Sequence, residues 1–300
     1  MNAADGPPAW FTAALAAPVT ERAVTVAGTR IAYREYGGAS GNDSGVGSGV
    51  VLVHGGGAHA RWWDHIAPLL SGDRRVVALN LSGHGDSERS EAYSFDGWAA
   101  EVMAVAADAA FAGPPVVIGH SMGGFVVLRA AGLYGSQLAG IVVIDSPVHN
   151  LTPEQQAARE ERAFGPLRVY PTRAEAIRRF RPIPDQPTLP YVREHVAATS
   201  VRAAAGGWSW KFDPAVFSRD RAVPELLQHL DCRAALFHAE HGLVPPQASE
   251  VMYDKLGRRA PVIEIPAAGH HVMLDEPIAL VTGIRTLLAD WDHSLPVQPH

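Results

Sequence analysis

The 300-residue chain has one cysteine, Cys232, so no disulfide can form within it. A reducing cytoplasm is the expected compartment. It has no unbroken apolar run of about 18 residues, so a membrane-spanning helix is not expected. Residues Met1 to Trp10 lack the basic start and the sustained apolar stretch of a secretory leader, and none is expected. Positive charge is scarce as well: 25 Lys and Arg stand against 31 Asp and Glu, a net charge of −6 with no basic block. That balance argues against nucleic acid or an anionic membrane surface as partner. The chain shows no dinucleotide fingerprint and no phosphate-binding loop, so no cofactor is expected. What it has in quantity is apolar residues, 47% against 19% charged, enough for a sizeable core. The length fits one large α/β domain with an inserted subdomain, or two small domains.

Short apolar runs alternate with helical patterns, the signature of strand–helix–strand units around a parallel sheet. Val24–Val26 and Ile31–Tyr36 read as an opening antiparallel pair that turns at Gly28. A Gly- and Ser-rich loop follows, from Gly37 to Gly49. Val50–Val53, Arg75–Leu79, Pro115–Ile118, Ile141–Ile144, Ala234–Phe237 and Val262–Ile265 read as buried strands. Helices are expected over Phe95–Phe111, Phe125–Tyr134 and Pro277–Trp291. In the last of these, Val281, Ile284, Leu288 and Trp291 make one apolar stripe. The alternation breaks between about Ser146 and Arg221. There Thr152-Pro153-Glu154-Gln155 and Thr172-Arg173-Ala174-Glu175 have the form of capping boxes. This stretch, residues 147–221, reads as a mostly helical insertion between the sixth and seventh strands. Residues 1–146 and 222–300 then form the core.

Gly119-His120-Ser121-Met122-Gly123 sits between the strand Val116–Ile118 and the helical run that begins at Phe125. A G-x-S-x-G turn in that setting holds the serine on a sharp bend at the carboxyl edge of a sheet, at the positive end of the next helix. Ser121 is therefore the candidate nucleophile. A serine needs a base within hydrogen-bond reach, and 14 histidines offer no choice by identity alone.

Motif and order together resemble the α/β-hydrolase superfamily along nearly the whole chain. The resemblance implies an α/β fold with a mostly parallel sheet, flanking helices and a helical cap over the nucleophile. It makes His54-Gly55-Gly56-Gly57 the oxyanion loop, with the N–H groups of Gly56 and Met122 as donors. It makes Ser82-Gly83-His84-Gly85-Asp86-Ser87 a structural turn. His270, directly after Gly269 and the last strand, becomes the base, with His271 as its near rival. His54 and His120 are expected to orient loops, and His59, His65, His238 and His241 to lie on surfaces or loops; no metal is expected.

The acid departs from the pattern. Most relatives carry an Asp after the seventh strand, where this chain has Gly242 in Glu240-His241-Gly242-Leu243-Val244-Pro245. Asp145, at the end of the sixth strand, is taken as the acid, as in a minority of the superfamily, with Glu240 as the alternative. Trp62, Trp63, Trp208 and Trp210 are candidate substrate contacts, and Arg178, Arg179 and Arg181 read as a solvated helix face. The expected function is hydrolysis of an ester, lactone or amide of a small molecule through an acyl-enzyme. The alternatives are cofactor-independent oxygenase, lyase or cyclase chemistry on the same scaffold, or a slow-turnover ligand receptor. A homodimer is compatible with all of these.

Overall fold

The computed structural model describes residues 6–37, 49–72, 74–148, 167–217 and 230–294. The chain enters the sheet through β1 (Val19–Val26) and β2 (Thr29–Tyr36), an antiparallel pair. β3 (Val50–Val53), β4 (Val76–Leu79), β5 (Val116–His120) and β6 (Gly140–Ile144) follow, buried at every position. Such runs have no polar side to show water, so they form the middle of a sheet covered on both faces. β7 (Val201–Ala204) and β8 (Gly207–Trp210) form a separate antiparallel hairpin. β9 (Arg233–His241) and β10 (Val262–Gly269) complete an eight-stranded sheet of order β1-β2-β4-β3-β5-β6-β9-β10. From β4 to β10 neighbouring strands are parallel. Their carboxyl ends therefore share one edge, and the loops that leave it can converge on one site.

Alternate residues of each strand feed opposite cores. α1 (Ala9–Ala16) and α2 (Ala67–Leu70) supply Phe11 and Leu70 to one core, which takes Leu52, Ile118 and Val142 from the sheet. α3 (Phe95–Asp108) and α4 (Met122–Tyr134) bring Trp98, Val102 and Val126 to the other face, against Val51, Val53 and Val117. α3 starts where Ser94 Oγ accepts the Gly97 N–H at 3.0 Å, a side-chain N-cap.

The chain leaves the sheet after β6. The described part of the insertion holds α5 (Arg173–Arg178), α6 (Pro190–Thr199) and the β7–β8 hairpin. The capping box at Thr172 forms as read, with Thr172 Oγ1 accepting the Glu175 N–H; that at Thr152 lies outside the described residues. The hairpin is a departure from a mostly helical insertion. Its strands pair Val201 with Trp210 and Ala203 with Trp208, and Gly206 at φ +81° makes the turn. The insertion is fastened to the core loops beneath it. His195 of α6 meets Asp64 at 2.9 Å, and the Gly85 N–H donates to the Lys211 carbonyl at 2.7 Å.

α7 (Pro246–Lys255), α8 (Val272–Asp275) and α9 (Pro277–His293) follow β9 and β10. α7 joins the α3–α4 side through Met252, and α9 lays Leu280, Val281, Ile284 and Leu288 on the opposite core. Three histidines expected on surfaces or loops are buried: His59, His65 and His238. His59 caps the turn at Ala60–Trp63 and reaches Ser200 Oγ at 2.9 Å, and His65 donates to the Met273 carbonyl at 2.7 Å. Both connect segments that meet only in the folded chain. Among the described residues, no helix is long and apolar enough to cross a membrane.

Candidate active site

Ser121 stands between β5 and α4 with φ +52° and ψ −115°, outside the allowed regions for a side-chain-bearing residue. The bend survives because its surroundings fix it. The Ser121 N–H donates to the Ile144 carbonyl at 3.0 Å, and Ser146 Oγ donates to the Ser121 carbonyl at 2.8 Å. The turn also demands glycine at 123. A Cβ there would lie 2.5 Å from the Val53 carbonyl oxygen and 2.6 Å from that of His54. Strain held by a rigid frame is what exposes such a side chain at a sheet edge.

His270 follows β10 and is buried, with 3% of its surface exposed. Its Nδ1–H donates to Asp145 Oδ2 at 2.6 Å, and Ser121 Oγ donates to its Nε2 at 3.0 Å. Asp145 directly follows β6, with φ +43°, and is fully buried. Its Oδ1 accepts the Ala239 N–H at 3.3 Å, and its Oδ2 accepts that of Leu243 at 2.8 Å. Burial alone would raise its pKa. The hydrogen bond and charge attraction with His270, with the two backbone donors, outweigh that and hold the carboxyl below its ordinary value.

Gly242, where most of the superfamily carries its acid, faces Asp145. A Cβ at 242 would lie 2.5 Å from Asp145 Oδ2 and closer still to Oδ1, so one volume holds either residue's side chain. Glu240 is exposed and accepts the Ala267 N–H at 2.7 Å. That contact braces the bulge in β10 between Ile265 and Gly269, where Ala267 takes φ +60°. Both ring nitrogens of His270 are engaged by Asp145 and Ser121, which leaves none for Glu240.

Met122, as the first residue of α4, has an N–H with no intrahelical acceptor. The loop residue Gly56 comes close to it, since a Cβ at 56 would sit 3.5 Å from Met122 Sδ. His54 fixes that loop. Its Nδ1–H donates to the Gly55 carbonyl at 2.7 Å and its Nε2 accepts the Leu81 N–H at 3.1 Å. Burial lowers its pKa to about 4, so the ring is neutral as this pattern requires. His120 is held likewise: its Nε2–H donates to the His270 carbonyl at 2.8 Å, and burial first, then the charge of His270, lower its pKa to about 3. His271 is buried against Trp62, ring centroids 5.5 Å apart, and burial keeps it well below its ordinary value.

The four tryptophans divide. Trp62 packs between Phe180 and His271, next to His270, whereas Trp63 is wholly buried in the core. Trp208 packs with Tyr170 and Val201 in the small core of the insertion. Trp210 joins that cluster to Phe180. The ring over the Gly55–Gly57 loop is instead Phe217, whose Cε1 would meet a Cβ on Gly56 at 2.8 Å. Arg178, Arg179 and Arg181 are exposed, as a solvated face would be. Ser146, Gln186 and Asp275 hold the Ser121 bend and the loop around His270 through contacts that carry no local motif, so the sequence does not single them out.

Comparison with known proteins places the chain in a family. The profile of the Alpha/beta hydrolase family matches residues 50–283. An esterase of Mycobacterium tuberculosis is 24% identical over 80% of this chain and 82% of its own. A pyrrolizixenacetamide deacetylase of Xenorhabdus hominickii is 38% identical, over 33% of this chain and 38% of its own. Among solved structures, an E-2-(acetamidomethylene)succinate hydrolase superposes with a TM-score of 0.75 at 20% identity, covering 91% of this chain and 100% of its own. A serine on a strand–helix bend, a buried histidine beside it and a profile match over most of the sequence lead to one conclusion: the chain belongs to the alpha/beta hydrolase family and is a hydrolase similar to esterases.

Proposed function

We propose that this protein is a serine hydrolase that cleaves an ester, lactone or amide bond of a small organic molecule through an acyl-enzyme. Ser121 is the nucleophile, His270 the general base and Asp145 the acid. The N–H groups of Gly56 and Met122 receive the developing oxyanion. The observation that carries the reading is the continuous chain from Asp145 Oδ2 through His270 to Ser121 Oγ, at 2.6 Å and 3.0 Å. In that geometry Ser121 attacks the carbonyl carbon as its proton passes to His270 Nε2. The imidazolium then protonates the leaving group, and Asp145 stabilises the positive charge without itself taking the proton. Water, activated by the same base, releases the acid product. Donors aimed at the oxyanion are each worth about 3 kcal/mol in the transition state, and the positive end of α4 adds to them. The steps use only side chains and backbone N–H groups of this chain, and call for no metal or cofactor.

A panel of short-chain nitrophenyl esters, lactones and anilides tests this in rapid mixing. The reading expects a burst of leaving group equal to the enzyme concentration and an acyl adduct on the peptide that contains Ser121. Product without an adduct, or oxygen uptake with neither, contradicts it.

A further inference from the structure

We propose that Gln186, which reaches the site from the insertion, is a positioning residue for the general base: its carboxamide clamps the Gly269–Asp275 loop and keeps His270 aimed at Ser121. The inference rests on the nucleophile and base assignments above. Gln186 Oε1 accepts the His271 N–H at 2.8 Å, and Gln186 Nε2 donates to Asp275 Oδ2 at 2.6 Å and to the His271 carbonyl at 3.4 Å. Asp275 Oδ2 accepts the Gly269 N–H at 2.6 Å, and its Oδ1 accepts that of Glu276 at 2.8 Å. One Gln–Asp pair thus holds the N–H on each side of His270. The amide lies so close over the loop that a Cβ on Gly269 would meet Gln186 Nε2 at 2.8 Å.

Two further contacts join the same stretches of chain. His271 Nε2 donates to the Ile183 carbonyl at 3.1 Å, and the Leu189 N–H donates to the Leu274 carbonyl at 2.9 Å. Residues 183–189 therefore lie along the base loop as a strap. The other two members of the site are held by the core. Ser121 is pinned through Ile144 and Ser146, and Asp145 through Phe237, Ala239 and Leu243. Among the described residues, the loop around His270 is held from both sides, by the core through His120, which donates to the His270 carbonyl, and by the insertion through Gln186. A ring at 3.0 Å from its serine has little room for error, because a displacement near 1 Å costs on the order of a hundredfold in rate.

The blander role for Gln186 is a tether that fastens the insertion and does nothing for the base. Four proteins separate the two roles: wild type, Gln186→Met, Gln186→Glu and Thr172→Ala. The methionine keeps the side-chain length and loses every hydrogen bond. The glutamate keeps an acceptor for the His271 N–H but sets a second carboxyl against Asp275. Thr172→Ala loosens the insertion at the start of α5 without touching the base loop. For each, the rate at which a small fluorophosphonate labels Ser121 is measured with kcat and KM on one short ester and with Tm.

The clamp predicts that Gln186→Met slows both labelling and kcat by about ten- to a hundredfold. KM should stay within about threefold, the split expected when only transition-state geometry is lost. Gln186→Glu should fall between methionine and wild type, and Thr172→Ala should lower Tm while labelling at the wild-type rate. If the methionine variant does not fold, slowed labelling of the glutamate variant makes the same case. Wild-type labelling rates in both Gln186 variants, with only Tm or KM changed, overturn the clamp alone. A wild type that does not label overturns the nucleophile assignment, and the clamp with it.

Discussion

A side chain at position 242 would begin 2.5 Å from Asp145 Oδ2, so the two positions share one volume beside His270. Gly242→Asp should therefore displace Asp145 and lower kcat by about tenfold or more, since the imidazole loses its alignment. Adding Asp145→Gly vacates the volume and puts a glycine where φ is +43°, so the double variant should recover part of the lost activity. A double variant no better than the single one would show that the two sites are not interchangeable. Ser121 and His270 were legible because each sits in a short local pattern with a fixed place relative to a strand. Asp145 was legible only as the consequence of a gap at 242, and the sequence alone left Glu240 open. What favours Asp145 is its 2.6 Å contact with His270 across the sheet, which no local pattern encodes. Gln186 stayed invisible for the same reason: its partner His271 is 85 residues away in the chain.

At the scale of elements, the strands and long helices could be read because burial leaves a simple mark: continuous apolar runs in β3 to β6 and a stripe in α9. The β7–β8 hairpin had a weaker mark that was passed over, the alternation Trp208-Ser209-Trp210 after Gly206-Gly207, with Ser209 buried between two half-buried rings. Among the described residues of the insertion, Phe217 covers Gly56. Phe217→Ala should open space over the oxyanion loop and raise kcat/KM for bulky acyl esters relative to acetate, measured with a chain-length series. An unchanged preference would place the acyl group elsewhere. At the start of α5, Thr172→Ala removes the side-chain acceptor of the Glu175 N–H. It should cost about 1 kcal/mol in urea unfolding, the usual worth of such a cap. No change would mean that the turn frays without consequence for the fold.

At the scale of the whole molecule, Asp64 links β2, the turn at Ala60–Trp63 and α6 of the insertion. It receives Tyr36 Oη–H at 2.6 Å, lies 3.1 Å from both Arg34 Nε and Arg61 Nε, and reaches His195 of α6 at 2.9 Å. Burial opposes its charge, but His195, Arg34, Tyr36 and Arg61 together lower its pKa to about 2. A carboxylate whose folded pKa is depressed stabilises the fold above its unfolded pKa, and that share is lost as pH falls through the folded value. The loss should amount to about 2 kcal/mol between roughly pH 4 and 2. Glu101 acts with the opposite sign. Burial raises its pKa to about 7, although its carboxylate accepts the Ser82 N–H at 2.8 Å. It is protonated in both states below about pH 4, and its ionisation penalises the fold progressively until about pH 7, by on the order of 3 kcal/mol. Glu101→Gln keeps the acceptor for Ser82 and should raise stability at pH 8 while leaving it nearly unchanged at pH 4. Denaturant unfolding across pH reads both arms, and a flat profile would contradict the two assignments.

The proposed mechanism has Asp145, and not Glu240, complete the machinery that activates Ser121. It is tested most directly by the rate at which a fluorophosphonate labels Ser121 in the wild type, Asp145→Asn and Glu240→Gln. The wild type should label rapidly, Ser121→Ala not at all, and Glu240→Gln at a rate near wild type. Asp145→Asn should be slower by several orders of magnitude, about 10⁴-fold where an acid of this kind has lost its charge. Rapid labelling of Asp145→Asn together with slow labelling of Glu240→Gln would contradict it.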